Sequence, residues 1–304
     1  MLVCGKRLTQ VSAPEIKDQS EERKKMSNTY SIEAIHNKML NMMEWFHMFC
    51  AENGISYFMI GGTMLGAMRH QGFIPWDDDV DIGVPREDFE KLLCISKKQE
   101  GNTQYVIESY LDGNADFEYP FAKVYDTTTT LIENKRKQPK RGLYIDVFPL
   151  DGIRGATKEE AIKNFEPLKK ELNLLAAVTS EVREGRAWWK NCIVKMVGIL
   201  PSSMLSFSQM ARKVEKLCKE SSFYDSKYVG NLVGMWRERE IMPREFFGNP
   251  KLYQFDRCHF YGVEKPDEYL SNVYGDWRKL PPAEKQKSDH SYICIDLNRS
   301  YKDN

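Results

Sequence analysis

Four aspartates crowd the segment Pro75-Trp76-Asp77-Asp78-Asp79-Val80-Asp81-Ile82-Gly83. Two of them, Asp79 and Asp81, alternate with aliphatic residues. Read as a strand, this places both carboxylates on one face and Val80 and Ile82 on the other. Carboxylates held side by side repel each other, and such a pair persists when a cation sits between them or one keeps its proton. Hard oxygen ligands in this number suit magnesium or manganese, which reach proteins through one or two carboxylates while substrate phosphates fill the remaining positions. Upstream, Gly61-Gly62 ends the apolar run Tyr57-Phe58-Met59-Ile60. Glycines there leave backbone amides open to close approach, as a phosphate requires, although glycines also close ordinary turns. A glycine turn followed by an acidic strand is the layout of a nucleotide site.

A third acid belongs with these two. In Tyr144-Ile145-Asp146-Val147-Phe148, Asp146 stands opposite Ile145 and Val147, and a lone acid in so apolar a strand is costly unless something binds it. Asp79, Asp81 and Asp146 are therefore the expected metal carboxylates. The basic run Lys135 to Arg141 lies on the preceding turn, either as a solvated hairpin tip or as a contact for phosphates.

The elements that must carry these residues follow from periodicity. Ile32, Ile35, Met39, Met42, Phe46 and Phe49 step by three and four before Asn53-Gly54, which predicts an amphipathic helix. His36 and His47 fall on it without a second ligand at helical spacing, so both are expected to be structural. A short helix follows from Thr63 to about His70, its amino end adding partial positive charge to the glycine turn. Pro85 opens another helix, with Phe89, Leu92 and Leu93 inward. Gln104–Tyr110, Phe121–Tyr125, Thr128–Ile132 and Leu143–Phe148 read as strands of a mixed sheet. Thr157 to Glu160 reads as a capping box opening a helical region. A further helix is expected near Ser208–Glu220, with Ala211, Val214, Leu217 and Cys218 inward. Trp188-Trp189-Lys190 and Ile193 to Leu200 have the composition of either a buried helix or an interfacial membrane patch. The segment from Gly230 to His290 reads as irregular structure with short strands wrapping the core.

Composition sets the bounds. A chain of 304 residues, 41% hydrophobic and 12% aromatic, makes one large domain or a core with an appendage. Its 44 basic and 44 acidic side chains cancel, which removes the driving force for non-specific nucleic-acid binding. Seven scattered cysteines without metal-type spacing read as reduced, buried thiols of a cytoplasmic protein. Residues 1–26 are charged and non-periodic, the pattern of a solvated, disordered tail without the apolar stretch of a signal peptide. No apolar run approaches the roughly 20 residues a spanning helix needs.

The stretch Gly61-Gly62-Thr63-Met64-Leu65-Gly66-Ala67-Met68-Arg69-His70-Gln71-Gly72-Phe73-Ile74-Pro75-Trp76-Asp77-Asp78-Asp79-Val80-Asp81-Ile82-Gly83 resembles the signature of the LicD family. Phe121 to Asp126, Tyr144 to Gly152, and a tail from Tyr269 through Tyr274-Gly275-Asp276 and Pro281-Pro282 to His290 are similar to that family too. The resemblance implies an α+β fold: a nucleotidyltransferase-like core over 27–155, with a mixed sheet flanked by helices, and a largely helical and irregular region over 156–304 that completes the site. It implies metal-dependent transfer of phosphocholine, or a related alcohol phosphate, from a CDP-activated donor such as CDP-choline, releasing CMP. The acceptor would be a hydroxyl of a cell-surface glycan or its lipid-linked precursor, as in teichoic acid, lipopolysaccharide or capsule. It further implies that Gly61, Gly62, Thr63, Arg69 and Lys123 serve the donor, at the inner face of the membrane. A quaternary ammonium cannot donate a hydrogen bond, so choline selection calls for aromatic faces. Trp76 is the first candidate, with Tyr274 and Trp277 able to close a cage; the other reading is that Trp76 props the turn. Two further functions fit fewer residues. A glycosyltransferase using Asp79-Val80-Asp81 on a nucleotide sugar leaves the Gly pair and Asp146 unexplained. A calcium loop with ligands at Asp77, Asp79, Asp81 and Asp88 meets Ile82 where its turn needs Gly.

Overall fold

The computed structural model describes residues 31–98, 103–114, 116–135, 137–179, 188–199, 206–288, 290 and 292–303. The expected 1–26 tail, with Cys4, lies outside them, as do Arg136 and Leu200. Helix α1 (Ile32–Asn53) begins where Ser31 caps the Ala34 amide and ends at Gly54, and it buries Ile35, Met39, Met42, Phe46 and Phe49 as its periodicity predicts. Then follow β1 (Phe58–Met59), α2 (Gly61–His70), β2 (Asp81–Pro85) and α3 (Arg86–Ser96). Strands β3 (Tyr105–Ser109), β4 (Ala122–Asp126), β5 (Thr130–Glu133), β6 (Lys140–Arg141) and β7 (Tyr144–Ile153) come next. Helices α4 (Lys158–Thr179), α5 (Trp188–Ile199) and α6 (Phe207–Cys218) form the helical stretch. The chain closes with β8 (Tyr228–Gly230), β9 (Met242–Pro243), β10 (Lys251–Phe255), β11 (Cys258–Gly262), α7 (Pro266–Tyr274) and β12 (Tyr292–Asp296).

Nine of these strands form one mixed sheet in the order β10-β11-β1-β2-β7-β4-β3, with β8 on β7 and β9 on β8. Its centre is the parallel pair β2 and β7, which sets Asp81 beside Asp146 in register. Antiparallel β4 then sets Lys123 beside Asp146. The expected α+β class, a mixed sheet flanked by helices, is the observed one. The C-terminal half is more regular than its composition suggests: β11 pairs parallel with β1 through Met59 and Gly262, so residues about two hundred apart share the central sheet. Irregular wrapping gives way there to a hairpin and a helix. The separate sheet β12-β5-β6 brings the last strand onto the hairpin before β7.

The core is continuous beneath the sheet. Met39, Met42, Phe46, Phe58, Val80, Val84 and Phe89 are almost wholly shielded. Such burial, at roughly 25 cal/mol per Å² of apolar surface, holds the acidic strands in place. One buried ion pair supports it: Arg86 grips Asp151 through two hydrogen bonds of 2.7 and 2.8 Å. Two side-chain expectations need correction. Cys94 and Cys192 are exposed, while Cys50, Cys218 and Cys294 are buried. On α5, Trp188 is 77% and Met196 65% exposed, so these two residues do not follow the buried-helix reading. Among the described residues no helix is long and apolar enough to cross a membrane.

Candidate active site

A cleft of about 850 Å³ opens over the edges of β2, β7 and β4 and holds Asp77, Asp79, Asp81, Lys123 and Asp146. The alternation seen in the sequence accounts for it. Val80 and Ile82 are sealed in the core, which turns Asp79 and Asp81 the other way. Two backbone anchors fix the level of the acids: Asp146 N–H donates to the Val80 carbonyl at 2.8 Å, and Asp81 N–H to the Thr63 hydroxyl at 2.8 Å. Thr63 is thus placed behind the acidic strand.

The Gly pair stands at the amino end of α2 and lines the cleft, but its amides are not both open as expected. Gly61 N–H donates to the Tyr269 hydroxyl at 2.9 Å. What requires glycine here is the carboxylates. Gly61 has φ +53, and a β-carbon on it would stand 2.7 Å from Asp81 Oδ2; one on Gly62 would stand 2.9 Å from Asp77 Oδ2. Alanine at Gly61 is therefore expected to lower stability by about 1 kcal/mol through the left-handed backbone alone. It should also move the Asp81 carboxylate and depress activity further than stability. Thermal melts and turnover on Gly61→Ala check this, and unchanged turnover with an unchanged Tm would return the pair to an ordinary turn.

The acids repel one another strongly. Burial, then the charge and hydrogen bond of Asp79 and the charge of Asp78, pushes the Asp77 carboxyl up to about 8, against a smaller pull from His290. Burial pushes Asp81 well above the usual carboxylate range, and Asp79, Asp146 and Asp77 add to it. Asp146 is raised by burial even though Lys123 draws it down. Lys123 Nζ lies 2.5 Å from Asp146 Oδ1 and 3.3 Å from the centre of the Tyr144 ring, and the side chain is 1% exposed. The lysine expected on donor phosphates is thus held first by a carboxylate. Among the described residues no group of three or more acid, histidine or cysteine side chains is placed to hold a metal ion, the expected set Asp79, Asp81 and Asp146 included. The donor set is nonetheless of the right chemistry: hard, mutually repelling oxygens whose carboxyls at Asp77 and Asp81 stay raised even with Lys123 and His290 nearby, a repulsion that a divalent cation would relieve.

Other site residues take their places around this row. Arg69 donates to the Trp277 carbonyl at 2.9 Å and to His70 Nε2 at 3.1 Å while lining the cleft. Trp76 is half-buried in the cleft wall, edge-on to His70. Tyr274 packs edge-on against Trp236, and the Arg278 guanidinium lies 4.3 Å from the centre of the Trp277 ring. His36 stacks on Phe73 and bonds the Asp77 carbonyl, and His47 bonds the Tyr57 hydroxyl; neither lines the cleft. Asp88 accepts from Ser56 N–H and the Tyr224 hydroxyl outside the cleft, which dismantles the calcium-loop spacing.

Several cleft residues escape sequence reasoning. His290 Nδ1 lies 2.9 Å from Asp78 Oδ1 and its Nε2 3.7 Å from Asp79 Oδ2. Burial pulls this imidazole down, but the Asp78 bond and the Asp79 charge outweigh it and hold it at about 9. Among the described residues of the basic run, Lys135 lines the cleft, 3.7 Å from the centre of the Tyr119 ring and lowered to about 8 by burial. Glu240 is buried on the far wall, and desolvation raises it to about 8. A lone acid or histidine in a non-periodic segment carries no signal of this; only the fold brings Glu240 and His290 to β2.

A mixed sheet that sets acids side by side on adjacent parallel strands, over a cleft with a buried lysine beside them, has the charge and rigidity that phosphoryl transfer calls for. Comparison with known proteins agrees. The family model described as LicD/FKTN/FKRP, nucleotidyltransferase domain, matches residues 54–171. The lipopolysaccharide cholinephosphotransferase LicD of Haemophilus influenzae is 30% identical over 255 residues, covering 83% of this chain and 92% of that protein. The ribitol 5-phosphate transferase FKRP of Homo sapiens is 54% identical over 35 residues, 12% of this chain and 7% of that one. The mannosyltransferase regulator 4 of Saccharomyces cerevisiae is 25% identical over 130 residues, 40% of this chain and 10% of that one. The chain belongs to the LicD family.

Proposed function

We propose that the protein transfers an alcohol phosphate, phosphocholine foremost, from its CDP ester to a hydroxyl of a cell-surface glycan or its lipid-linked precursor. The observation that carries this reading is the row Asp81, Asp146 and Lys123 across three neighbouring strands, in a chain similar along most of its length to a cholinephosphotransferase. The acceptor oxygen forms a bond to the phosphorus of the alcohol phosphate, the bond to the CMP oxygen breaks, and the acceptor proton passes to a carboxylate beside the row, Asp77 among them. Phosphoryl transfer asks mainly for positioning and charge stabilisation. Lys123 and Lys135 supply fixed positive charge on one wall, and Arg69 ties α2 to the segment carrying Trp277. Asp79 and Asp81, with Asp146 next to them, would hold Mg²⁺ or Mn²⁺, which supplies charge neutralisation at the diphosphate when bound. The cytoplasmic face of a membrane is the setting that fits such an acceptor, and the exposed Trp188 and Met196 of α5 suit peripheral contact there.

Incubation with Mg²⁺ and a panel of CDP-alcohols should release CMP, fastest from CDP-choline, and chelation should stop it. UDP-sugar turnover without CDP-alcohol turnover would transfer the case to a glycosyltransferase. The head group is tested at Trp76. An aromatic face against a quaternary ammonium contributes roughly 0.5 to 2 kcal/mol, so Trp76→Leu should raise KM for CDP-choline several-fold more than for CDP-ribitol. Equal loss for both donors would make Trp76 a prop for the turn.

A further inference from the structure

Part of the cleft wall is built by the loop 231–240 and by Trp277, and it carries an anomaly. Among the described residues, three buried side-chain polar atoms have no hydrogen-bond partner: Asp126 Oδ2, Asn231 Oδ1 and Trp277 Nε1. Asp126 is accounted for, since the Lys38 ammonium lies 3.5 Å from it. The other two belong to residues that line the same cleft. An unpaired buried amide or indole N–H is costly, and a folded protein keeps few of them without a reason.

The charged side chains around these two atoms have partners: Arg278 pairs with Asp267 and lies 4.3 Å from the centre of the Trp277 ring, and Arg239 lies 5.6 Å from the centre of the Trp236 ring. Asn231 accepts the Gly234 amide on its backbone carbonyl at 3.1 Å. Arg237, at φ +54, donates to the Gly234 carbonyl at 2.8 Å, and the Trp236 amide donates to Glu240 at 3.3 Å. Arg69 holds the backbone of Trp277. Arg237 and Arg69 are thus engaged with carbonyls, and the unpartnered buried atoms are one carbonyl oxygen and one N–H. At the mouth stand Trp236 and Met235, 42% and 83% exposed. Two neutral polar atoms beside an exposed indole offer a diphosphate no charge, whereas Lys123 and Lys135 do. The neutral pair and the indole suit a ring that offers hydroxyls and one apolar face. A hydroxyl is both donor and acceptor, so it satisfies Trp277 and also Asn231 whichever way that amide is turned.

We propose that this wall is a subsite for a sugar ring of the acceptor glycan, its hydroxyls bonding Asn231 and Trp277 and its apolar face covered by Trp236. Side-chain adjustments of the size that commonly accompany binding bring the two buried groups onto the ring. The assignment of the ring to the acceptor rests on the transferase reading above; the ribose of the nucleotide donor is the other source of the same chemistry.

Binding measurements separate the possibilities without turnover. Methyl β-D-galactopyranoside, methyl β-D-glucopyranoside and CMP are titrated into the full-length protein by saturation-transfer NMR, for the wild type, Asn231→Leu and Trp277→Phe. At least one glycoside should bind the wild type, and each variant should weaken it on the order of tenfold, the worth of one good hydrogen bond. Since Asn231→Leu removes a buried group with nothing to bond, its Tm should equal or exceed that of the wild type. Trp277→Phe, which keeps the ring, gives a second reading if the first variant folds poorly. A lower Tm for both variants, an unchanged glycoside affinity, or no glycoside binding to the wild type would overturn the subsite. Loss of CMP affinity in place of glycoside affinity would assign the wall to the nucleoside and overturn the acceptor. A protein that binds glycoside through Asn231 yet releases no CMP from any CDP-alcohol would sink the transferase reading and leave the subsite standing.

Discussion

Asp81→Asn is expected to cut turnover by two to three orders of magnitude, the scale of losing one preorganised charge-stabilising group, while leaving Tm level or raising it. The second half of this expectation comes from proton linkage. Burial first, and then Asp79, Asp146 and Asp77, push the Asp81 carboxyl well above its usual 3.8 in the folded protein. In the unfolded chain it ionises near that usual value. Between the two, the unfolded state binds fewer protons than the folded one, so Asp81 subtracts stability progressively as pH rises above about 4. Asparagine keeps the shape and the hydrogen-bonding capacity without the charge. The gain in Tm over wild type should therefore be larger at pH 8 than at pH 5, and saturating Mg²⁺ should raise the wild type more than the variant. Calorimetry at both pH values and CMP release at saturating Mg²⁺ measure the two halves. Near wild-type activity would remove Asp81 from the reacting set, and a lower Tm at pH 8 would show that repulsion among these acids is not what the buried row experiences.

That row was visible in the sequence because its signals are local. Asp79-Val80-Asp81 declares its two faces by alternation, and Asp146 stands out as the one acid between Ile145 and Val147. The helix over Ile32–Asn53 declares itself by spacing and by its caps. What the sequence does not carry is which strand lies beside which. Nothing in Ala122–Asp126 says that Lys123 will stand in register with Asp146, so its charge reads naturally as a phosphate ligand. The Gly pair was legible as special, yet for a reason that needs the structure: its missing β-carbons make room for Asp81 and Asp77. The least legible part is the far wall. Asn231 and Glu240 arrive beside β8 and β9, which pair onto β7, while Trp277 and His290 follow the parallel pairing of β11 with β1 and the antiparallel pairing of β12 with β5, contacts between segments roughly 160 to 200 residues apart. Pairings of that range are set by the packing of the whole sheet, and short-range patterns are silent about them.

Lys123→Met should be the most destabilising single change in the site and should reveal what the lysine is for. Methionine keeps the unbranched stem, so packing against Tyr144 and Tyr119 survives and only the ammonium is lost. Asp146 is then left without its partner in a place where burial already raises its pKa. Removing one member of a buried ion pair costs about 3 to 5 kcal/mol, but here the cost depends on pH. Without Lys123 the Asp146 carboxyl rises further in the folded state. The penalty is therefore small below about pH 3, where the acid is mostly protonated in both states, and it grows toward pH 8 as the unfolded chain gains by ionising. The double variant Lys123→Met with Asp146→Asn removes the stranded charge and should recover most of the stability at pH 8. Its turnover should stay as low as that of the single variant, because the row loses both its fixed cation and the acid beside Asp81. Melting curves across this pH range, with turnover of the three proteins, distinguish the roles. A lysine that served only donor phosphates would leave Tm almost unchanged when lost, and a double variant with restored turnover would make Asp146 a structural partner with no part in the chemistry.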